Sequence, residues 1–182
     1  MTRRHKKHIP KIWLMTDPRF GDGLIPAIQK LPAGSGVIFR HYDLAEHPRR
    51  KLLHAVAKTC RRRGHLLLIA GNTQTANLRS VQGIHGRALC QPSKAIIRSA
   101  PVHNVREITQ AVHYRADILL LSPCRSTASH PGARPLGMLR FMQLARLCKP
   151  TKVIALGGMT HRRFMMMDAR AVYGWAAIDA FR

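Results

Sequence analysis

Acidic residues are nearly missing from this chain: 8 Asp and Glu stand against 31 Lys and Arg, a formal net charge of +23 over 182 residues. From so few carboxylates, neither a paired-carboxylate nor a Ser-His-Asp arrangement can be assembled. Cysteine is scarce too, and Cys60, Cys90, Cys124 and Cys148 lie far apart with no C-x-x-C pair. That spacing argues against a zinc site or a disulfide framework and suits a reducing compartment. No apolar run approaches the roughly 18 residues of a bilayer span. The opening MTRRHKKHIPKIW has positive charge but no apolar centre of a secretory signal. A soluble, cytoplasmic protein with no membrane partner is the expectation. Aromatics make up only 5%, few platforms for stacking on bases, and no nucleic-acid module is evident. The first strand is not followed by G-x-G-x-x-G, which lowers a dinucleotide fold.

What is present is alternation. With 46% apolar residues, the chain can bury a full core as one domain. Short apolar runs read as buried parallel strands at 11–16, 37–41, 65–70, 82–85, 94–98, 118–121, 153–156 and 174–178. Helical spacing occupies 24–31, 48–63, 75–80, 105–114, 136–147 and 162–169. In the 136–147 helix, Met138, Phe141, Met142 and Leu144 are expected to face inward. Regular βα alternation implies right-handed crossovers, and eight units favour a closed barrel over an open sheet. The expected fold is therefore α/β, a compact (β/α)8 TIM-type barrel over 11–182 behind a basic N-terminal arm at 1–10. The chain stops four residues past the last strand, so the final helix is expected to be truncated. One flank would then be bare, and a homodimer is plausible there.

Two of the eight strand ends stand out. Ile118 to Leu121 discharges into Ser122-Pro123 and a stretch rich in Ser, Thr, Pro and Gly, while Val153 to Leu156 stops at Gly157-Gly158. Polar, glycine-bearing loops at the C-terminal ends of adjacent barrel strands are how this architecture handles phosphate. These two loops are expected to converge on one anion. Glycine allows the main chain to come close to such a ligand, although a tight strand-to-helix turn would use the same residues. The basic balance fits a polyanion partner of some kind, whether diphosphate, nucleic acid or an anionic surface. A solvated basic surface is the plainer explanation for the clusters at 3–7, 49–51 and 61–63.

These loops carry a resemblance. The segment 116–137 resembles the thiamine-phosphate synthase and TenI family, whose counterpart reads approximately ADYIGFGPVFPTxTKPGAxPLG. VIALGGM at 153–159 is similar to that family's VVAIGGI, GIH at 83–85 to its GVHLGQ, and GWAAIDAF at 174–181 to its GVAVISAI. Ser99, with Glu107 on the following helix, resembles its S-x-H…E element, and VIFRHYD at 37–43 its Q-x-R-x-K-D. The order is collinear from Lys11 to Phe181.

The resemblance implies a reaction joining hydroxymethylpyrimidine diphosphate to a thiazole phosphate, with Mg²⁺ assisting diphosphate departure. It assigns Arg40 to the diphosphate and Ser99, Thr127, Ser129, Gly157 and Gly158 to phosphate binding. An arginine in this strand could instead pair with Asp17 or Asp43. The departures are specific. The family's Gln and Lys on strand two become Ile38 and Tyr42. Its Asn-Asp pair after strand three falls on Ala70 and Gly71, and its second metal-binding Asp falls near Cys90. Asn72 or Gln74 could supply only weaker oxygens. The loop lysine becomes His130, and the serine after strand eight becomes Asp179, a carboxylate expected to repel phosphate. The expectations are thus an enzyme of this kind, with Arg40 and His130 catalytic, or a diverged relative that binds the same pyrimidine and thiazole phosphates. The alternative is a silent barrel that binds nucleic acid or acts as a regulator.

Overall fold

The structure is a computed structural model that describes residues 8–71, 80–86, 96–125 and 135–182. Eight parallel strands close into a barrel in chain order: β1 (Ile12–Met15), β2 (Gly36–Phe39), β3 (Leu66–Ala70), β4 (Gly83–His85), β5 (Ile97–Val102), β6 (Ile118–Leu121), β7 (Lys152–Leu156) and β8 (Gly174–Ala177). β8 pairs back onto β1 through Trp175↔Ile12, Ala176↔Trp13 and Ala177↔Leu14. Five α-helices cover the described outside: α1 (Leu24–Lys30), α2 (Glu46–Arg63), α3 (Val105–His113), α4 (Met138–Leu147) and α5 (His161–Met165). A 3-10 turn at Asp179–Phe181 follows β8. Among the described residues no helix is long and apolar enough to cross a membrane.

The strand sequences explain the closure. Leu119, Leu120, Leu121, Val37, Ile38 and Phe39 are all fully buried, because a parallel strand packs a barrel interior on one face and helices on the other. Trp13 fills the floor. Its indole lies where a side chain at Gly36 would be, 2.2 Å from the position of a Cβ there, and its Nε1 donates to the Pro10 carbonyl at 2.8 Å. Ile9 is buried, and its carbonyl accepts from the Tyr173 hydroxyl at 2.7 Å. Residues 9 and 10 of the expected arm therefore belong to the barrel.

Helix ends follow local chemistry. α2 carries Glu46 in its first turn and Arg61, Arg62 and Arg63 in its last, matching the helix dipole, and ends at left-handed Gly64. Asn104 caps α3 by accepting from the Glu107 amide at 3.0 Å.

Several boundaries differ from the sequence reading. β2 stops at Phe39, not His41, because His41 turns to φ 40°. β5 begins later and runs through Pro101. The Ser99 carbonyl accepts from Gly86 on the β4 side, so Pro101, two residues on, faces beyond the end of β4, where its missing N–H costs no ladder bond. α5 starts at His161 behind its Thr160 cap and ends at Met165, well short of 169. On α4, Phe141 and Leu144 are buried, Met142 is half-buried, and Met138 is 42% exposed at the helix start. The helical stretch expected at 75–80 lies, apart from Ser80, outside the described residues.

Candidate functional site

Side chains alternate along each strand, so Asp17, Arg40, Ala70, His85 and Ser99 continue the lumenal rows that begin with Trp13, Gly36, Leu68, Gly83 and Ile97. They form the upper layer of the barrel, at the C-terminal strand ends where such folds keep their chemistry. Arg40 Nη2 donates to Asp17 Oδ2 at 3.1 Å, and Arg19 Nε donates to Asp17 Oδ1 at 2.8 Å. Arg19 Nη1 continues to Asp179 Oδ1 at 2.9 Å. Burial alone would raise the Asp17 pKa, but hydrogen bonds from Arg19 and the charges of Arg19 and Arg40 hold it below the ordinary carboxylate value. Arg40 Nε is buried and has no acceptor among the described residues.

His85 and Ser99 fill the next sector, His85 Nδ1 and the Ser99 hydroxyl 2.9 Å apart. Burial, with Arg40 adding repulsion, lowers His85 to about 4, so it is neutral at pH 7. Ser99 is fully buried against it, below the strand end rather than on the rim. Thr16 and His41 form a second buried pair, with Thr16 Oγ1 and His41 Nδ1 2.9 Å apart, and the Arg40 amide donates to the same hydroxyl at 2.9 Å.

The two glycine- and hydroxyl-bearing loops meet at their roots. The Cys124 amide donates to the Leu156 carbonyl at 2.9 Å and the Arg125 amide to the Gly157 carbonyl at 3.2 Å. The Leu136 amide donates to the Pro123 carbonyl at 3.0 Å, which ties the approach to α4 back to the end of β6. Gly157 has φ 100°, and a Cβ there would stand 3.0 Å from the Cys124 nitrogen and the Pro123 Cα; glycine is required on both counts. Gly158 has φ 58°, and its carbonyl accepts from Arg163 Nη1. Thr127, Ser129 and His130 lie outside the described residues.

Arg163, on α5, holds the Gly158 carbonyl of the β7 loop. Three features were missed in the sequence. Arg19 joins two carboxylates, and Arg49 reaches from α2 to the strand ends. His103, just past β5, is held by Glu107: its Nδ1 and Glu107 Oε2 are 2.7 Å apart. Only the last had a readable signal, the i,i+4 spacing of His103 and Glu107. Asp179, expected to repel phosphate, is engaged by Arg19 and, at 3.6 Å, by Arg182.

Comparison with known proteins places this architecture. A family model described as thiamine monophosphate synthase matches residues 16–181. The chain belongs to the thiamine-phosphate synthase family. A curated protein of Aquifex aeolicus (strain VF5), named "Putative thiamine-phosphate synthase 2", is 26% identical over 183 residues, covering 95% of this chain and 98% of that one. Among solved structures, thiamine phosphate pyrophosphorylase from Pyrococcus furiosus matches with a TM-score of 0.76 and 19% identity, over 93% of this chain and 86% of the other. A 2-keto-3-deoxy-6-phospho-gluconate aldolase from Zymomonas mobilis matches with a TM-score of 0.61 and 10% identity, over 92% and 82%. At such identities the structural matches concern the fold alone. Membership in the synthase family ties the chain to thiamine biosynthesis.

The Mg²⁺ that the family implies does not fit the residues here. All eight carboxylates belong to described residues, and no three His, Cys, Asp or Glu side chains among the described residues gather as a ligand set. Ala70 offers no side-chain oxygen, and its carbonyl is taken by Arg49 Nη2 at 2.7 Å. Both oxygens of Asp17 already accept from arginine.

Proposed function

We propose that this protein binds a pyrimidine diphosphate and a thiazole phosphate at its barrel mouth and joins them into thiamine phosphate. In that reaction the bond between the pyrimidine methylene and the diphosphate oxygen breaks, and pyrophosphate leaves with the electron pair. The thiazole nitrogen then donates its lone pair to the methylene carbon, forming the C–N bond. A protein promotes this by holding the departing negative charge with donors already in position.

Arg40 is the observation that carries the reading. Its guanidinium is fixed by Asp17 and keeps a buried Nε without an acceptor among the described residues, an unmet donor that suits an anionic oxygen. Gly157, Gly158, Thr127 and Ser129 are assigned to the thiazole phosphate, and His130 to donation toward the departing diphosphate. Ser99 acts indirectly in this reading, by setting the orientation of His85. The test is incubation of purified protein with both substrates, following thiamine phosphate and released pyrophosphate. Product formation is expected; no turnover with retained substrate binding would reduce the proposal to a binding protein.

A second reading has its own observation. The outer face of α2 exposes Arg50, Lys51, Lys58, Arg61 and Arg62, a basic stripe within a +23 chain. Nucleic-acid binding through it would fall steeply with salt. Absence of RNA binding at low salt removes this alternative.

A further inference from the structure

Arg49 sits in the first turns of α2, yet its side chain reaches back across the C-terminal ends of β2 and β3. Nη2 donates to the carbonyls of Ala70 at 2.7 Å and Arg40 at 3.2 Å, and Nε donates to that of His41 at 3.2 Å. Its guanidinium carbon lies 5.4 Å from the centre of the Phe39 ring. A planar group tied to three carbonyls and an aromatic face is a fixed cation, not a solvated surface charge. These carbonyls are the main-chain oxygens that the ends of β2 and β3 could offer to a metal, and the arginine has taken them. Gly71, the next residue, has φ 84°, and a side chain there would begin 3.0 Å from the Tyr42 ring. A carboxylate is disfavoured at that position both by backbone conformation and by space.

The geometry points to a diphosphate site that works without a divalent metal, with Arg49 and Arg40 supplying the positive charge. This rests on the reading of the mouth as a diphosphate site. The guanidinium groups of Arg40, just past β2, and Arg49, reaching over from α2, provide two fixed charges and oriented donors. A dication at the same corner would meet both of them, with Asp43 on the loop after β2 as the nearby carboxylate outside the arginine pairs. Asp17 is committed to Arg19 and Arg40, and Asp179 to Arg19 and Arg182.

The experiment is calorimetric titration of the full-length protein with inorganic pyrophosphate, first in EDTA and then in excess Mg²⁺. Binding in EDTA is expected, with Mg²⁺ leaving the affinity within about threefold or weakening it. Binding that emerges only with Mg²⁺ overturns the inference and leaves the diphosphate reading standing. No binding under either condition overturns both. Arg49→Gln should lower affinity in EDTA about tenfold, the scale of a lost charge-assisted contact. Arg62→Gln, on the exposed outer face of α2, should leave it unchanged; equal losses would mean that general charge is responsible and would also overturn the inference. Thermal melting of both variants checks folding, and the wild-type titration decides the metal question by itself if Arg49→Gln does not fold.

Discussion

The two sides of the barrel mouth are built on different principles. On the β1–β2–β8 side, charge meets charge: Asp17 and Asp179 are bound into one chain with Arg40, Arg19 and Arg182. On the β6–β7 side, main chain meets main chain through Cys124–Leu156 and Arg125–Gly157. There Arg125 and Arg163 have no carboxylate partner among the described residues, and burial raises the Cys124 thiol against the lowering influence of both. The paired side fixes geometry and spends much of its charge internally. The backbone side leaves Arg125 and Arg163 without carboxylate partners among the described residues and needs glycine to bring the strands' loops together. In the proposed function, the phosphates are held at this mouth by donors from both sides.

This contrast can be broken most severely at Gly157. Gly157→Val forces a branched side chain into φ 100° and against the Pro123–Cys124 backbone. The expected cost is about 3 kcal/mol or more in denaturant unfolding, with loss of pyrophosphate binding. An unchanged melting curve would show that the two loops are not packed as described.

The next effect is in pH. His85 has its folded pKa lowered from 6.5 to about 4, so the unfolded chain binds the proton more readily and stability rises with pH. Its contribution is fully present above pH 6.5 and is lost as pH falls toward 4. The loss amounts to up to about 3 kcal/mol, with His41 and His65 adding in the same direction. His85→Gln should flatten that slope in unfolding measured from pH 7.5 to 4. Asp17 acts in a lower window: its folded pKa is depressed below 3.8, so its stabilisation is present above that value and disappears as pH falls through the folded one.

Arg40→Gln sharpens the comparison by removing the cation that Asp17 fixes on the paired side. Pyrophosphate affinity should fall about 10- to 100-fold while the melting temperature changes little, because Asp17 keeps Arg19. Equal loss of stability and binding would make Arg40 a structural residue. The smallest expected effect is at Asp179, 46% exposed. Asp179→Asn should cost less than about 1 kcal/mol of stability and raise pyrophosphate affinity a few-fold, since a negative neighbour is removed. Weaker binding would show that Asp179 orients Arg19 for the ligand.

Much of the barrel was legible because its signals are local. β6 was readable to the residue from an unbroken apolar run, and the end of α2 from a basic turn followed by Gly64. The misreadings have a common origin in contacts with distant residues. β2 ends at Phe39 because His41 is turned by Thr16 and by Arg49, and β5 tolerates Pro101 because β4 has already ended. The pairing of Ser99 with His85 across the strand register is another contact between distant residues that no local signal carried. The glycine turn at Gly157 could be read because glycine at a strand end has few other purposes; Arg49 could not, being one of a basic cluster at 49–51 with nothing local to separate it from the solvated two.

By itself the sequence determined the architecture and the poverty of carboxylates, since apolar period, turn residues and composition act over a few neighbours at a time. Only the tertiary structure decided which arginines are committed and which are available. Arg40 meets Asp17 across 23 positions, Arg49 meets Ala70 across 21, and Arg19 meets Asp179 across 160. Such partners are chosen by strand register and barrel closure, which bring charges together irrespective of their distance along the chain.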